Sequence, residues 1–163
     1  MPRFLSTANS AVLLLALGGM LGACSFSPAR LTDEVRVNVR EVQVWNDFMP
    51  GTKPMCHATL QLTLRNTTGR DIVLHGCDGL LANAPDGIPI RRFPVTMLYQ
   101  DLETREVRLP PGMEIDLLLR TPIGVPAFDR KSHARVRFTA AFRTSLDRVL
   151  RVQSRPAIPF DTQ

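Results

Sequence analysis

Hydrophobic and polar residues alternate with a period of two along most of the chain. The clearest example runs from Cys56 to Arg65, where one cysteine, one alanine and three leucines occupy the even positions and polar residues the odd ones. Such alternation predicts a β-strand with one buried face. The same pattern begins at Val35, shifts by one position at Arg40–Glu41 and resumes at Val42. This shift indicates a β-bulge or a strand that changes sheets.

Shorter alternating segments recur along the rest of the chain. They predict further strands at residues 71–77, 93–99, 105–109, 115–119, 134–142 and 150–152. Thirteen prolines and ten glycines interrupt the chain too often for long helices. About seven or eight short strands separated by turns predict an all-β fold, a two-sheet sandwich, with a small barrel as the alternative. Residues 78–92 are predicted to form a long irregular segment.

Two segments resemble parts of immunoglobulin-like domains, the first those of bacterial periplasmic proteins and the second the mid-domain turn of many such modules. In the first, the alternating leucines are followed by Arg-Asn-Thr-Thr-Gly at Arg65–Gly69 and by Asp-Ile-Val-Leu at Asp71–Leu74. In the second, Leu-Pro-Pro-Gly at Leu109–Gly112 joins two predicted strands. The resemblance implies an immunoglobulin-like β-sandwich. The turn after Arg65 also predicts that segments 56–65 and 71–77 form one hairpin.

The N-terminal segment has the layout of a secretory signal. Arg3 precedes an apolar run at residues 11–20, which is barely half the length needed to span a membrane. The following Leu-Gly-Ala-Cys, at Leu21–Cys24, resembles the lipobox of bacterial lipoproteins. The resemblance implies that a diacylglycerol is attached to the Cys24 thiol, that cleavage follows Ala23, and that palmitate can be incorporated. An uncleaved helix and a plain signal peptide are the alternatives.

The lipobox divides the chain into a signal peptide at 1–23, a lipidated tether at 24–33 and a β-sandwich domain at 34–163. Removing 23 of 163 residues leaves 140, enough for one domain with its own core. The formal net charge of +5 becomes +4 when Arg3 is lost. Ser25, in place of aspartate, follows the lipobox cysteine, and the resemblance then implies an outer-membrane, periplasm-facing location.

Cys56 and Cys77 are the two cysteines left after Cys24. An even number of cysteines in an oxidising compartment predicts a disulfide, here closing the open end of the predicted hairpin. Two alternatives remain, free thiols and a copper or zinc site that adds His57 and His75, with methionines nearby. Side chains at 56 and 57 point to opposite faces of a strand, which disfavours the metal site. We therefore expect no metal and no cofactor.

Sequence motifs for catalysis are absent. The chain has no Gly-x-Ser-x-Gly elbow and no glycine-rich phosphate loop. Ser132 and His133 are sequence neighbours, which a strand would point apart. We therefore expect a protein that is not an enzyme.

Basic residues are concentrated in the C-terminal quarter. Between Arg130 and Arg155 lie eight basic residues and one acid, Asp147. With a turn at 143–147, the predicted pairs on the outer face are Thr139–Arg151, Arg137–Gln153 and Arg135–Arg155. These pairs predict an exposed patch formed by Arg135, Arg137, Arg151 and Arg155, which suits an anionic partner. A solvated surface without a partner is the alternative.

Together these features predict a lipid-anchored envelope lipoprotein acting as a non-catalytic binding or assembly module. Its partners would be the membrane, through Cys24, and an anionic envelope component or another envelope protein, with no nucleic acid. One alternative function is copper or zinc handling through Cys56, His57, His75 and Cys77. Another is an enzyme-inhibitor module that uses a protruding loop at 78–92.

Overall fold

The computed structural model describes residues 34–162. Within them the chain forms eleven β-strands in two sheets and no helix, so none of this part offers a helix able to cross a membrane. The prediction of an all-β, immunoglobulin-like two-sheet sandwich is confirmed. The strand count exceeds the predicted seven or eight because short edge strands escape the alternation pattern. The predicted signal peptide and the whole predicted tether, including Cys24, lie outside the described residues.

The first sheet has six strands in the order β11-β1-β2-β8-β5-β6. Their bounds are β1 Val35–Asp47, β2 Met55–Asn66, β5 Thr96–Tyr99, β6 Leu102–Thr104, β8 Glu114–Arg120 and β11 Phe160–Thr162. Strand β11 lies parallel to β1, so the first and last strands of the described chain are neighbours. The other pairs of this sheet are antiparallel.

The second sheet has five strands, with β10, β9, β3 and β4 in that order. Strand β7 also pairs with β3, at the end that β4 leaves free. The bounds are β3 Ile72–Asn83, β4 Pro89–Pro94, β7 Glu106–Leu109, β9 Val136–Thr144 and β10 Val149–Gln153. All pairs in this sheet are antiparallel.

The core lies between the two sheets and is built from the inward positions of the alternating strands. The even residues of β2, from Cys56 to Leu64, are buried, as are the even residues of β9 that face them from the second sheet. Strand β1 pairs with β2 on both sides of a register shift between Val39 and Glu41. The predicted bulge at Arg40 is therefore confirmed, and it returns the valines that follow to the core side.

The prediction of a hairpin from segments 56–65 and 71–77 is wrong. Strand β2 belongs to the first sheet and β3 to the second. The turn between them crosses the sandwich because the buried Asn66 donates hydrogen bonds to Arg70 O (2.7 Å) and to Leu109 O (2.8 Å). Asn66 thereby joins the end of β2 to β7 in the opposite sheet.

The prediction that residues 78–92 form an irregular segment is also wrong. Strand β3 continues through it to Asn83, and β4 begins at Pro89, so the two form a hairpin within the second sheet. The protruding loop expected for an inhibitor module is thus largely sheet. The strand predicted at 93–99 is two strands, β4 and β5, which lie in different sheets.

Candidate binding face on the second sheet

The outer face of the second sheet is organised in rows of residues that lie opposite each other on four strands. One row crosses the sheet as Arg92, Leu80, Thr139 and Gln153. The adjacent row crosses it as Pro94, Asp78, Ala141 and Arg151. Each row therefore has short or apolar side chains at its centre and an arginine at one end.

These two rows form a surface groove of about 510 Å³. Its floor includes Leu80, Pro94 and Ala141, and its lining also includes Asp78. Arg92 and Arg151 stand at diagonally opposite corners, on strands three positions apart in the sheet. The groove thus combines an apolar floor with two guanidinium groups and one carboxylate.

Beneath the groove, on the inner side of the sheet, close packing between β3 and β4 requires a glycine at position 79. A Cβ atom placed on Gly79 would lie 2.7 Å from Val95 Cγ2 and closer still to the Phe93 ring. Phe93 therefore covers the inner side of β3 at this position, and it also contacts Phe138 with ring centroids 5.6 Å apart. The close packing keeps β3 and β4 together beneath the groove.

Six arginines on this face, or next to it, lack an ion-pair partner among the described residues. We call them the arginine face: Arg92, Arg135, Arg137, Arg143, Arg151 and Arg155. Arginines elsewhere are more often neutralised, as Arg40 is by Asp116 at 3.1 Å and Arg130 by Asp161 at 2.9 Å. Positive charge therefore exceeds negative charge on this side of the sandwich, where the Asp78 carboxylate forms no ion pair with the six arginines.

The four arginines of the predicted patch belong to the arginine face, but the predicted register is wrong by two residues. Arg151 lies opposite Ala141, and Gln153 lies opposite Thr139. The shift arises because the turn lies at 144–148 and not at the predicted 143–147. Thr144 N donates to Arg148 O at 3.0 Å, and Asp147 adopts the left-handed region at φ 54°. A shift of two residues leaves every side chain on its predicted face.

Arg135 and Arg155 lie just outside their strands. Arg137 lies opposite Ala82 of β3, at the end of the sheet where Val136 bridges to Ala157. Arg155 follows Ser154, whose hydroxyl accepts a hydrogen bond from Phe138 N. The predicted direct pairing of Arg135 with Arg155 is absent, and the patch is consequently wider than the sequence suggested.

Cys56 and Cys77 are both buried and both free, so the predicted disulfide is not formed. Asn66 and Ile72 mark the same end of the sandwich, because Asn66 bonds to Leu109 and Leu109 pairs with Ile72. Cys56 is ten residues from Asn66, and Cys77 is five residues from Ile72. At about 3.3 Å per residue the cysteines differ by about 16 Å along the strands. A disulfide needs Cα atoms within about 7 Å.

Burial sets the chemistry of both thiols. Desolvation raises the pKa of Cys56 to about 12, although the nearby positive charge of Arg91 lowers it in part. Desolvation also raises the pKa of Cys77 to about 12, against a hydrogen bond from the backbone of Ala141. Both groups are therefore neutral, unreactive thiols near neutral pH.

The four residues considered for a metal do not converge. Cys56 and Cys77 point into the core, whereas His57 stacks on Trp45 and His75 pairs with Glu106 at 3.0 Å. Within residues 34–162 no group of three or more histidine, cysteine or acidic side chains is placed to hold a metal ion. The geometry does not support a copper or zinc site in this region.

An aromatic row on the first sheet was missed in the sequence. Trp45 stacks on His57 with ring centroids 5.3 Å apart and on Phe160 with centroids 6.0 Å apart. The three residues lie opposite each other on β2, β1 and β11. The alternation places Trp45 and His57 on one outer face, so their contact was foreseeable, but nothing in the sequence indicates that β11 lies beside β1.

No family model and no curated protein matches this chain. Among solved structures, it is similar to the copper-bound PCuAC domain from PmoF2, with 12% identity and TM-score 0.42, covering 76% of this chain and 92% of that one. A FixG-related protein from Vibrio parahaemolyticus shows 13% identity and TM-score 0.40, with coverage of 78% and 97%. A PapD-like domain of human CEP192 shows 13% identity and TM-score 0.39, with coverage of 80% and 87%.

Proposed function

We propose that this chain is a lipid-anchored lipoprotein of the outer membrane whose β-sandwich faces the periplasm. The sandwich acts as a non-catalytic binding or assembly module, and its arginine face contacts an anionic envelope component or an acidic surface of another envelope protein. Membrane attachment is through Cys24. No nucleic acid is involved.

The observation that carries this proposal is the arginine face itself. Six guanidinium groups lack carboxylate partners there, while Arg40, Arg70, Arg108 and Arg120 elsewhere each have one. Guanidinium groups bind carboxylates and phosphates through two parallel hydrogen bonds. A partner bearing such groups would compensate the excess of positive charge on this side.

The non-catalytic part of the proposal is supported by the contacts of Asp129, Ser132 and His133, which are close in the sequence. Ser132 Oγ donates directly to Asp129 Oδ2 at 2.6 Å, so the serine bonds to the carboxylate and not to the histidine. The hydrogen bonds from Ser132 Oγ and Lys131 N also lower the pKa of Asp129. The His133 ring instead packs against the Phe128 ring at an interplanar angle of 63°, with centroids 5.9 Å apart. This arrangement lacks the relay in which a histidine activates a serine.

The binding role is tested by changing Arg135, Arg137, Arg151 and Arg155 to Gln in the full chain. A matched control changes Arg40, Arg70, Arg108 and Arg120 to Gln, which removes the same charge from paired positions. Sedimentation with peptidoglycan sacculi and co-purification from solubilised envelopes would be measured at low and high ionic strength. We expect the patch variant alone to lose salt-sensitive association. Equal association of both variants with wild type would refute the role of the arginine face.

The anchor is tested separately with Cys24→Ser. We expect this change to abolish incorporation of labelled palmitate and to release the protein from the outer membrane. Labelling equal to that of wild type would refute the lipoprotein assignment without bearing on the arginine face.

A further inference from the structure

A second arginine cluster lies on the first sheet, at the end where the described chain begins. Arg36 of β1 and Arg65 of β2 are direct cross-strand partners, and both side chains are exposed. Like charges directly opposite each other destabilise a sheet. Glu114 of β8 is the next residue in the row, opposite Arg65, but no ion pair joins the two.

The acids near this end are committed to other arginines. Glu34 Oε1 lies 3.2 Å from Arg70 and 3.3 Å from Arg148. Asp116 lies 3.1 Å from Arg40 and accepts a hydrogen bond from Thr63 Oγ1 at 2.8 Å. Arg36 and Arg65 are thus left as two adjacent guanidinium groups without carboxylate partners among the described residues.

Both arginines line a polar groove of about 350 Å³. The rest of its lining comes from the turn after β2 and from the turn before β8: Asn66, Thr67, Thr68 and Gly112. The first turn is held rigidly, because Asn66 Oδ1 accepts hydrogen bonds from Thr68 N (2.9 Å) and Thr68 Oγ1 (2.7 Å). The second is joined to it, since Gly112 N donates to Asn66 O at 3.0 Å. The groove is therefore preformed.

We propose that Arg36 and Arg65 form a binding site for a phosphate group. Two planar guanidinium groups on neighbouring strands can each donate two hydrogen bonds to one tetrahedral oxyanion. The bound anion also offsets the repulsion between them. This site lies on the opposite sheet from the arginine face and does not rest on the function proposed for it.

The phosphate has two possible sources, inorganic phosphate and a phospholipid headgroup. The start of the described chain lies beside this groove, because Glu34 O accepts a hydrogen bond from Thr67 N (2.9 Å). Glu34 is ten residues after Cys24 in the sequence. A lipid anchor at Cys24 would bring this end of the sandwich close to the membrane surface.

The test uses the full chain purified in dodecyl maltoside micelles, which contain no phosphate. Calorimetric titration with sodium phosphate, against sodium chloride at equal ionic strength, measures the free-anion arm. The lipid arm compares hydrogen exchange of the turn amides at 67–69 after addition of phosphatidylglycerol or of diacylglycerol. Arg36→Gln and Arg65→Gln are the test variants. Arg105→Gln, an exposed arginine without an ion pair, is the charge-matched control.

We expect each test variant to weaken phosphate binding by about tenfold or more, since hydrogen bonds to charged groups are the strong ones. Arg105→Gln should bind as wild type does. Slower exchange with phosphatidylglycerol, and not with diacylglycerol, identifies a lipid phosphate, whereas a response to inorganic phosphate alone identifies the free anion. No response in either arm, or the same response in the test variants as in wild type, would overturn the proposal.

Discussion

At the scale of single residues, burial decides what the two cysteines can do. Cys56 and Cys77 differ in their neighbours, yet desolvation dominates at both and raises each pKa to about 12. A thiol with so high a pKa is a poor nucleophile and a poor metal ligand at neutral pH. In this domain both residues act as small hydrophobic side chains of the core.

The first prediction follows from the free state of these thiols. Adding a reductant should leave the Tm of the protein unchanged, because no disulfide contributes to stability. A thiol reagent such as Ellman's reagent should react slowly with the native protein and rapidly with two thiols, Cys56 and Cys77, after unfolding in urea. A Tm that falls on reduction would show that a disulfide forms after all.

The second prediction concerns pH. The folded-state pKa of each thiol lies above the reference value of 9.0, so the unfolded state binds fewer protons between the two values. The free energy of unfolding should therefore be insensitive to these groups below about pH 9. It should fall as the pH rises towards about 12, by at most about 1.4 kcal/mol per pH unit for each thiol.

Urea unfolding at a series of pH values measures this dependence. The Cys56→Ala/Cys77→Ala variant is the comparison, because it retains the other titrating groups. Its stability should be lower at neutral pH through lost packing, but should decline less steeply in alkali. Parallel pH profiles for the variant and wild type would contradict the raised pKa of the two thiols in the folded state.

At the scale of elements, the turn from β2 to β3 makes the sandwich possible. A turn residue usually serves only its own strands, but Asn66 is fully buried and bonds to Leu109 of β7 in the other sheet. Its side chain satisfies the carbonyl of Arg70 and organises Thr68 as well. The turn thus connects the two sheets and is held by the side-chain amide of Asn66.

The third prediction is that Asn66→Ala destabilises the domain by about 2–4 kcal/mol. The change would leave the buried carbonyl of Leu109 without its partner and would remove one hydrogen bond each from the half-buried sites at Arg70 O and Thr68 N. An unsatisfied buried group costs about 1–3 kcal/mol, and an ordinary hydrogen bond contributes about 0.5–1.5 kcal/mol. Chemical unfolding measures the loss. Asn38→Ala, at an exposed position of β1, is the control and should shift stability by no more than about 0.5 kcal/mol. Comparable losses in both variants would contradict this role of the turn.

At the scale of the whole molecule, the two ends of the described chain meet in one sheet. Strand β11 pairs in parallel with β1, and Phe160 stacks on Trp45. Asp161 adds an ion pair to Arg130 at 2.9 Å. The edge of β1 that faces away from β2 is therefore covered only when β11 has paired with it.

The fourth prediction is that removing residues 160–163 lowers the free energy of unfolding by about 1–3 kcal/mol. The aromatic contact alone is worth about 0.5–1.5 kcal/mol, and lost strand pairing adds to it. Trp45 is the only tryptophan, so its emission should shift to longer wavelength as Phe160 no longer covers it. Removal of Gln163 alone is the control. An unchanged emission spectrum would show that β11 does not cover Trp45 in solution.

Charge is distributed unevenly over the molecule. The arginine face occupies the second sheet, and Arg36 with Arg65 occupies one end of the first. Six of the exposed large hydrophobic residues lie in loops and in β11 at the opposite end: Phe48, Met49, Ile88, Ile123, Ile158 and Phe160. A domain tethered near residue 34 would thus present Arg36 and Arg65 beside its tether. Arg135, Arg137 and Arg155 of the arginine face lie at the far end, where the apolar side chains also lie.

The sequence by itself determined the fold class, most strand positions, the bulge at Arg40 and the outward face of the basic residues. Each of these depends only on which side of a strand a residue occupies, and alternation with a period of two reports that directly. It also placed the four patch arginines on one face, because an error of two residues in register preserves the face.

The tertiary structure decided which strands are neighbours. Alternation is the same whether β2 and β3 pair in one sheet or face each other across the core, so the sequence could not distinguish a hairpin from a crossing. The buried amide of Asn66 decides that question. Because β2 and β3 lie in different sheets, Cys56 and Cys77 are at different heights along their strands and remain free, although the predicted hairpin would have paired them.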